Sequence, residues 1–373
     1  MCRWVVHPCR MFGRIAAALI VACGVVPTIA TVGVPGSAAA AANICDDSSR
    51  GTAAVKLLCA GIERQDRGDI DGAIADFQRA IELQPNLIEA HLMLGTGYYD
   101  KEDFAQAIVE FNKYLAVISD NYHAWSNRAA ALLKSGNAAA ARADIDRALA
   151  LNPHDPQLLW NRIVIARATH DWPSIITDTT WLLDHYPPEA KWLVQRGRAL
   201  EEESRYTASL ADLQRAVELS PTAVAYFYLG ITRGDLGQYE SAVEDFTRAL
   251  AINSNLALAY LSRCKAQYEL QQFRAGISDC DEYVKRNPED YEGYYVRGIL
   301  RSRARDQSGA LADYHRAIEL ANTASERANA WYGVGLASAR AGRVKDARQA
   351  YERALEFDPE HRLAKEALSR LRP

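Results

Sequence analysis

The sequence has no excess of basic charge and few long apolar segments, and each shortage excludes a class of partner. It contains 43 Lys and Arg against 47 Asp and Glu among 373 residues, a formal net charge of −4. Proteins that bind the phosphate backbone carry a dense basic face, so this mildly acidic chain argues against nucleic acid as a partner. After residue 42 the sequence has no apolar run of the roughly 20 residues that a spanning helix needs, and we expect no stable transmembrane segment there.

Residue patterns that carry chemistry are also missing. The eight histidines are scattered, and none of them pairs with another ligand type at metal-binding spacing. No Ser, Cys or Thr stands in a nucleophile motif with a nearby base. We therefore expect no catalytic residue, no metal and no other cofactor.

The N-terminus has the residue order of a secretory signal peptide. Three arginines precede an apolar run from Ile15 to Val26, and small residues follow up to Ala42. A charged, an apolar and a small-residue region in this order predict export, with cleavage near Ala42. The signal would span residues 1–42 and leave 43–53 as an N-terminal segment, in a periplasmic or secreted protein.

Two features of this N-terminus leave alternatives open. Met11 as the start would give the signal a more usual length. Residues 20–23 resemble a lipobox, so a lipoprotein anchored through Cys23 is the alternative to a cleaved signal.

A repeat with a period of 34 residues dominates the remaining sequence. Residues 72–81, 241–250 and 309–318 are nearly identical in pattern, with alanine, aspartate, an aromatic residue and arginine at fixed places. A small residue recurs in the first helix of most units: Gly61, Gly95, Ala129, Gly197, Gly230, Gly298 and Gly335. An aromatic or bulky residue recurs in most second helices: Phe77, Phe111, Ile145, Leu213, Phe246, Tyr314 and Tyr351.

Each recurring position has a physical reason. A small residue allows two antiparallel helices to approach closely, and an aromatic residue fills the space between units. Spacings of three and four residues place these side chains on one helix face. Proline ends a helix, and it recurs at the ends of most units. Since a single unit cannot bury its apolar face, the units must stack.

This combination resembles the tetratricopeptide repeat family over about residues 54–359. The resemblance implies an all-α fold, an α-solenoid of about nine helical hairpins in a right-handed superhelix. Residues 360–373 alternate apolar and basic positions and are expected to form the capping helix that solenoids need. The expected units are 54–87, 88–121, 122–155, 156–189, 190–222, 223–256, 257–290, 291–327 and 328–359.

Two units depart from the pattern. The fourth is degenerate, because Ile163, Ile175 and Thr179 occupy positions where small, small and aromatic residues are expected, and its packing is expected to be looser or bent. The step of 37 residues before the last unit predicts three extra residues in the loop around 321–327.

Four cysteines remain after the signal, an even number that suggests disulfides in an exported protein. Cys264 takes the small position of a first helix and Cys280 the aromatic position of its partner, so we predict that they are bonded. Cys45 and Cys59 form the remaining pair. The loop that a Cys264–Cys280 bond closes would contribute roughly 3 kcal/mol to stability in the chain-entropy model. Free buried thiols are the alternative.

Aspartate and arginine recur three residues apart on second helices, as in Asp144 with Arg147 and Asp313 with Arg316. We interpret them as local helix pairs, each worth a few tenths of a kcal/mol.

In proteins of this family the first helices line a concave face that binds peptides. The resemblance therefore implies a candidate peptide-binding surface rich in Tyr, Trp and Arg, residue types that dominate interface energies. For each of these residues, packing against the next first helix is the alternative. The candidates are Leu92, Thr96, Tyr99, Trp160, Phe227, Tyr228, Leu261, Tyr268, Tyr295, Arg303, Tyr332 and Arg340.

The function expected from these features is a non-catalytic scaffold or adaptor that binds other proteins or peptides in the cell envelope. Of the residues after the predicted signal, only 43–53 and 360–373 lie outside the repeats, and we therefore expect no catalytic domain beside them. One alternative is an accessory subunit or hidden enzyme of envelope or glycan processing. Another is a structural protein that self-associates.

Overall fold

The structure, a computed structural model, describes Cys45 and residues 51–371. The predicted signal peptide, with Cys23, lies outside the described residues, and so do most of residues 43–53. From residue 53 onward the described chain contains helices and no strands. The helices are α1 (Ala53–Asp66), α2 (Ile70–Leu83), α3 (Ile88–Asp100), α4 (Phe104–Val117), α5 (Tyr122–Lys134), α6 (Ala138–Leu151), α7 (Pro156–Ala168), α8 (Trp172–His185), α9 (Ala190–Glu202), α10 (Tyr206–Leu219), α11 (Ala223–Asp235), α12 (Tyr239–Ile252), α13 (Ala257–Glu269), α14 (Phe273–Arg286), α15 (Tyr291–Arg303), α16 (Gln307–Leu320), α17 (Ala324–Arg340), α18 (Val344–Phe357) and α19 (Arg362–Arg370).

The described chain divides into two compact units, one ending at Glu203 and the other starting at Ser204. The first contains α1 to α9 and the second α10 to α19. Within each unit, helices consecutive in the chain form antiparallel hairpins, and each hairpin packs on the next. The all-α repeat fold expected from the sequence is therefore confirmed.

Short turns with a left-handed residue join the two helices of a hairpin. Gly68 has φ 84° and Gly136 has φ 87°, a conformation that glycine adopts without strain. The side chain of Asp69 then accepts a hydrogen bond from the backbone N–H of Gly72 and caps α2. These local signals fix where each second helix begins.

The small and aromatic positions of a repeat touch inside the hairpin. A Cβ atom on Gly95 would lie 2.6 Å from Cε1 of Phe111, and one on Gly230 would lie 2.7 Å from Cε1 of Phe246. Both phenylalanine side chains are fully buried. The close approach that the sequence pattern predicted therefore depends on the absence of a side chain on the first helix.

The degenerate fourth unit forms a hairpin from α7 and α8. Ile163 and Thr179 are both fully buried, as is Ile175. In this hairpin the bulkier side chain, Ile163, is on the first helix and the smaller one, Thr179, is on the second, the reverse of the order in most other hairpins. The space between the two helices is therefore still filled. The hydroxyl of Thr179 donates to the backbone oxygen of Ile175, so the polar group is satisfied.

The three extra residues before the last unit lie in a helix, and the prediction that they lengthen a loop is wrong. The linker Ala321–Thr323 is short, and α17 has 17 residues where α15 has 13. The reason is a capping box: Thr323 Oγ1 accepts from Glu326 N, and Glu326 Oε2 accepts from Thr323 N. This cap begins the helix one turn earlier than in the other units.

Both predicted disulfides are present in the structure. Cys264 and Cys280 lie with Cα atoms 5.7 Å apart, and Cys45 and Cys59 with Cα atoms 5.8 Å apart. The Cys264–Cys280 bridge is fully buried between α13 and α14. It occupies the space that glycine and an aromatic ring fill in the neighbouring units.

The C-terminal capping helix is also confirmed. α19 packs on α18, and its Leu363 and Leu368 lie against a cluster that includes Tyr351. The outer face carries exposed Arg362 and Lys365. An apolar end that would otherwise be open is thus covered by a polar surface.

Candidate interaction surfaces

Most of the predicted peptide-binding residues are buried in the structure. Phe227 contacts Tyr228 edge-on with centroids 5.3 Å apart and also lies near Phe246. Tyr332 packs against Tyr351. The buried set is Leu92, Thr96, Trp160, Phe227, Tyr228, Leu261 and Tyr332.

Burial on this scale assigns these residues to the core of each unit in the free protein. Leu261 is fully buried, and Leu92 belongs to a cluster with Phe111 and Tyr114. They present little surface to a ligand, and a direct peptide contact by any of them stays a prediction. Their burial agrees with the alternative interpretation, in which they pack against adjacent helices.

Tyr99, by contrast, is half-buried at the end of α3. Its ring meets Phe104 edge-on at 5.4 Å. Burial raises the pKa of its hydroxyl, and the nearby carboxylates of Asp100 and Glu102 raise it further. It is the predicted residue in the first compact unit that keeps the most accessible ring.

Four predicted residues come together in the second compact unit: Tyr268, Tyr295, Arg303 and Arg340. We call them the tyrosine–arginine cluster. Arg303 Nη2 donates to the hydroxyl of Tyr268 at 3.3 Å, and its guanidinium carbon lies 5.9 Å from that ring's centroid. Arg340 is exposed, and the other three are half-buried.

The electrostatics of this cluster favour an incoming anion. Partial desolvation of the guanidinium lowers the pKa of Arg340, and the positive charge of Arg303 lowers it further. Arg340 Nη1 donates to Ser302 Oγ at 2.6 Å. Among the described residues, neither guanidinium forms an ion pair with a carboxylate. Burial also raises the pKa of Tyr295 to about 12, so its hydroxyl stays a neutral donor.

The structure also contains a recurring ion pair that the sequence interpretation missed. In at least four units a first-helix arginine binds the aspartate sixteen residues later on the second helix through two hydrogen bonds. We call this pair the hairpin clamp. Its members include Arg128–Asp144, Arg162–Asp178, Arg263–Asp279 and Arg297–Asp313.

The hairpin clamp overturns the prediction of local helix pairs at Asp144 and Asp313. Asp313 binds Arg297 and Arg301, while Arg316 turns away to Glu319 and Glu289. The aspartates are nearly buried, so they pair with cations that reach them inside the hairpin rather than with exposed arginines on their own helix. The signal in the sequence was an Arg–Asp spacing of sixteen residues, which recurs with the repeat.

Among α1 to α19, none combines the length and the hydropathy that a membrane-spanning helix requires. The described residues also contain no group of three or more His, Cys, Asp or Glu placed to hold a metal ion.

Comparison with known families finds the tetratricopeptide repeat at four places along the chain. Matches cover residues 63–96, 92–156 with 126–173, 223–256 and 328–361. These segments lie in both compact units.

Two plant proteins share low sequence identity with this chain over long segments. The chain is 22% identical over 335 residues to a DnaJ protein P58IPK homolog of Arabidopsis thaliana, covering 77% of this chain and 69% of that protein. It is 23% identical over 242 residues to Hsp70-Hsp90 organizing protein 2 of the same plant, covering 61% of this chain and 40% of that protein.

One similar solved structure is that of YrrB, described as a TPR protein with an unusual peptide-binding site. It aligns with a TM-score of 0.46 and 20% identity over 51% of this chain and 97% of YrrB. The repeat matches in both compact units, and the stacked hairpins that underlie them, show that this chain belongs to the tetratricopeptide repeat family.

Proposed function

We propose that the protein is a non-catalytic scaffold that binds segments of other proteins, and that the tyrosine–arginine cluster is its main contact surface. The observation that carries the proposal is the position of Arg303 and Arg340. They are two cations among tyrosine rings, with hydrogen bonds to the hydroxyl groups of Tyr268 and Ser302. Within the described residues neither forms an ion pair with a carboxylate, although Glu269 interacts electrostatically with Arg303. A partner carboxylate would form the close ion pair that the two guanidinium groups lack.

The chemistry of the cluster defines the ligand. Tyr268 and Tyr295 offer flat apolar faces with hydroxyl groups, and tyrosine and arginine are enriched among residues that dominate binding energy. Arginine binds carboxylates through two parallel hydrogen bonds. The ligand is therefore an extended or helical peptide segment with at least one acidic side chain or a free C-terminal carboxylate next to an apolar residue.

The relatives are consistent with a protein-binding role. Their names include an Hsp70-Hsp90 organizing protein and a mitochondrial import receptor subunit, TOM70 of Homo sapiens. The chain spans 69% of the first relative, 40% of the organizing protein and 36% of the import receptor. The partners of those proteins are therefore not transferred to this one.

We further propose that the protein acts outside the cytosol, in the periplasm or as a secreted protein. The support is the signal-like order of residues 1–42 and the two disulfides, which persist in oxidising compartments. Mass spectrometry of the mature N-terminus in cell fractions tests this. An N-terminus near Asn43 supports cleavage, and a lipid on Cys23 supports the anchored form. An intact N-terminus in the cytosol overturns both.

Crosslinking in the native envelope fraction, followed by mass spectrometry, tests the binding role. The test variant is Arg303→Gln with Arg340→Gln, which removes both charges and leaves the buried aromatics intact. The matched control is Arg274→Gln, an exposed arginine on α14 outside the cluster. We expect a partner that crosslinks to wild type and to the control and is lost from the double variant. A set of partners that is the same for all three proteins overturns the assignment of the surface.

A further inference from the structure

The last repeat carries a groove whose lining includes no member of the tyrosine–arginine cluster. α16 and α18 form its walls, and α17 forms its floor. Its volume is about 600 Å³. Its apolar lining includes Leu311, Ile318, Trp331, Val334 and Phe357. We call this space the second-helix groove.

Comparison with the two preceding repeats explains why the groove exists. There the hairpin clamps Arg263–Asp279 and Arg297–Asp313 occupy the corresponding space, and Arg297 also reaches Asp281 on the preceding second helix. The matching positions in the last repeat are Val334 and Ala350. Two short apolar side chains therefore replace a bidentate ion pair. The space that the arginine would fill remains open and has an apolar floor.

The aromatic residue on the floor of the groove, Trp331, lacks the arginine that covers its counterparts in the preceding repeats. In the preceding repeats the tyrosines at the Trp331 position lie under arginines: Arg316 is 5.9 Å from the ring of Tyr294, and Arg286 is 4.7 Å from that of Tyr260. Trp331 instead meets the edge of His315 at 6.0 Å. At the other wall, Phe357 is 38% exposed. A half-buried tryptophan and an exposed phenylalanine in one groove form a surface that gains from being covered.

Cations stand near both ends of the groove. Arg343 lies just before α18, and Arg353 is ten residues further along, about 15 Å at the rise of an α-helix. Their present partners are exposed carboxylates, Asp346 at 3.9 Å and Glu356 at 2.7 Å. Exposed pairs of this kind contribute little, so both arginines are free to exchange partners. Arg327 adds a third cation to the lining.

We propose that the second-helix groove binds a short acidic segment of a partner protein. The segment inserts one or two large apolar side chains over Trp331 and Phe357 and places carboxylates on Arg343 and Arg353. We favour a peptide over a lipid because a peptide can place one carboxylate on each of the two arginines and an apolar side chain between them. A lipid with a single head group cannot contact both arginines. The volume lies within the range of about 300–1,000 Å³ typical of ligand sites. This surface is separate from the tyrosine–arginine cluster and adds a second binding site to the scaffold.

The test measures fluorescence anisotropy of labelled six-residue peptides with the full chain. The probe has two glutamates, then leucine and phenylalanine, then two glutamates. One control probe replaces the four glutamates with lysines, and the other replaces leucine and phenylalanine with alanines. We expect the acidic apolar probe to bind at least about tenfold more tightly than either control, since both charge and apolar contact contribute.

The decisive variant is Val334→Arg with Ala350→Asp, which rebuilds the hairpin clamp of the preceding repeats and fills the groove. We expect it to weaken probe binding about tenfold or more, a difference typical of a lost hot-spot contact. Arg343→Gln with Arg353→Gln should weaken binding and reduce its salt dependence. Arg303→Gln with Arg340→Gln should leave it unchanged, which separates this proposal from the proposed function of the other surface.

If the rebuilt clamp does not fold, Phe357→Ala replaces it, because this side chain is exposed and its loss leaves the hairpin intact. Unchanged binding in a folded groove variant overturns the proposal, and so does equal binding of the alanine probe. Failure of the acidic probe to bind at millimolar concentration also overturns it. Binding of laurate without the probe, or dimerisation that the rebuilt clamp abolishes without probe binding, overturns it in favour of a lipid or a second copy.

Discussion

Arg297 and Asp313 are joined across a hairpin by two hydrogen bonds, from Nε to Oδ2 at 3.0 Å and from Nη2 to Oδ1 at 2.6 Å. Their side chains are only 13% and 3% exposed. Arg297 Nη1 also donates to Asp281 on the preceding second helix at 2.8 Å. One arginine therefore ties its own hairpin together and ties it to the previous repeat.

Asp313→Ala should destabilise the second compact unit strongly. It leaves Arg297 without its main partner in a nearly buried place, and breaking a buried pair costs about 3–5 kcal/mol. Because Asp281 remains near Arg297, we expect a loss of about 3 kcal/mol. Urea denaturation followed by circular dichroism measures it, and hydrogen exchange of α15 and α16 locates it.

The matched control is Glu356→Ala, which removes the exposed partner of Arg353. Surface pairs contribute about 0–1 kcal/mol, so this variant should unfold almost as wild type does. Equal losses for the two variants would show that the hairpin clamp has no special role in stability.

The hairpin clamp also shows which structural features can be predicted from the sequence and which cannot. The period, the small and aromatic positions, the capping helix and the cysteine pairing follow from local chemistry at a fixed spacing. The partner of Asp313 does not, because arginines at several spacings compete for it and only the packed hairpin decides which one reaches it. The extra turn of α17 was missed for a different reason. The Thr323–Glu326 capping signal is in the sequence, but the repeat period by itself does not distinguish a longer loop from a longer helix.

The same limit applies to the candidate binding surface. Phe227 and Tyr332 take first-helix positions that the family uses for ligands, and the sequence cannot tell whether a neighbouring helix covers them. Their burial depends on the closeness of stacking, a property of several helices together. Arg340, the exposed candidate, is the last residue of α17, and the other less buried candidates are half-buried.

Gly298→Ala should destabilise the protein through overpacking. A Cβ atom there would lie 2.9 Å from Cε1 of Tyr314, closer than ordinary contacts allow. The ring is buried and has little room to move, and overpacking of this kind costs about 1–3 kcal/mol. Thermal unfolding of the single variant measures the effect.

A double variant provides the control for this contact. Tyr314→Leu removes the ring edge that the new methyl group meets, so Gly298→Ala should cost less in the Tyr314→Leu background than in wild type. The difference between the two costs is the coupling energy of the contact. A coupling energy of zero would contradict the steric explanation.

Replacing Cys264 and Cys280 with alanine should lower the stability of the second compact unit. The bridge closes a short loop, and the chain-entropy model gives roughly 3 kcal/mol for such a loop. We expect the variant to have a lower thermal midpoint than wild type. Adding dithiothreitol should then lower the midpoint of the variant by less than it lowers that of wild type. The remaining decrease would belong to Cys45–Cys59. If the variant and the reduced wild type unfold at the temperature of oxidised wild type, the bridge is not stabilising.

The pH dependence of stability should carry a contribution from Asp245. This aspartate is buried on α12 and accepts a hydrogen bond from Arg233 Nη1 at 2.7 Å. Burial raises its pKa to about 6, although the charges of Arg233 and Arg248 oppose the rise. The ordinary value, which the unfolded chain retains, is about 4.

The sign follows from these two values. The folded protein holds the proton more tightly than the unfolded chain, so the stabilisation is complete below about pH 4 and is lost as the pH rises through about 6. A difference of about two pKa units corresponds to roughly 2–3 kcal/mol. The control is Asp245→Asn, which keeps the shape of the side chain and does not titrate. The free energy of unfolding of wild type minus that of the variant should fall by this amount between pH 4 and pH 7, because other titrating groups cancel in the difference. A flat difference, or one that rises with pH, would mean that Asp245 is ionised in the folded protein throughout this range and that its ion pair with Arg233 outweighs the cost of burial.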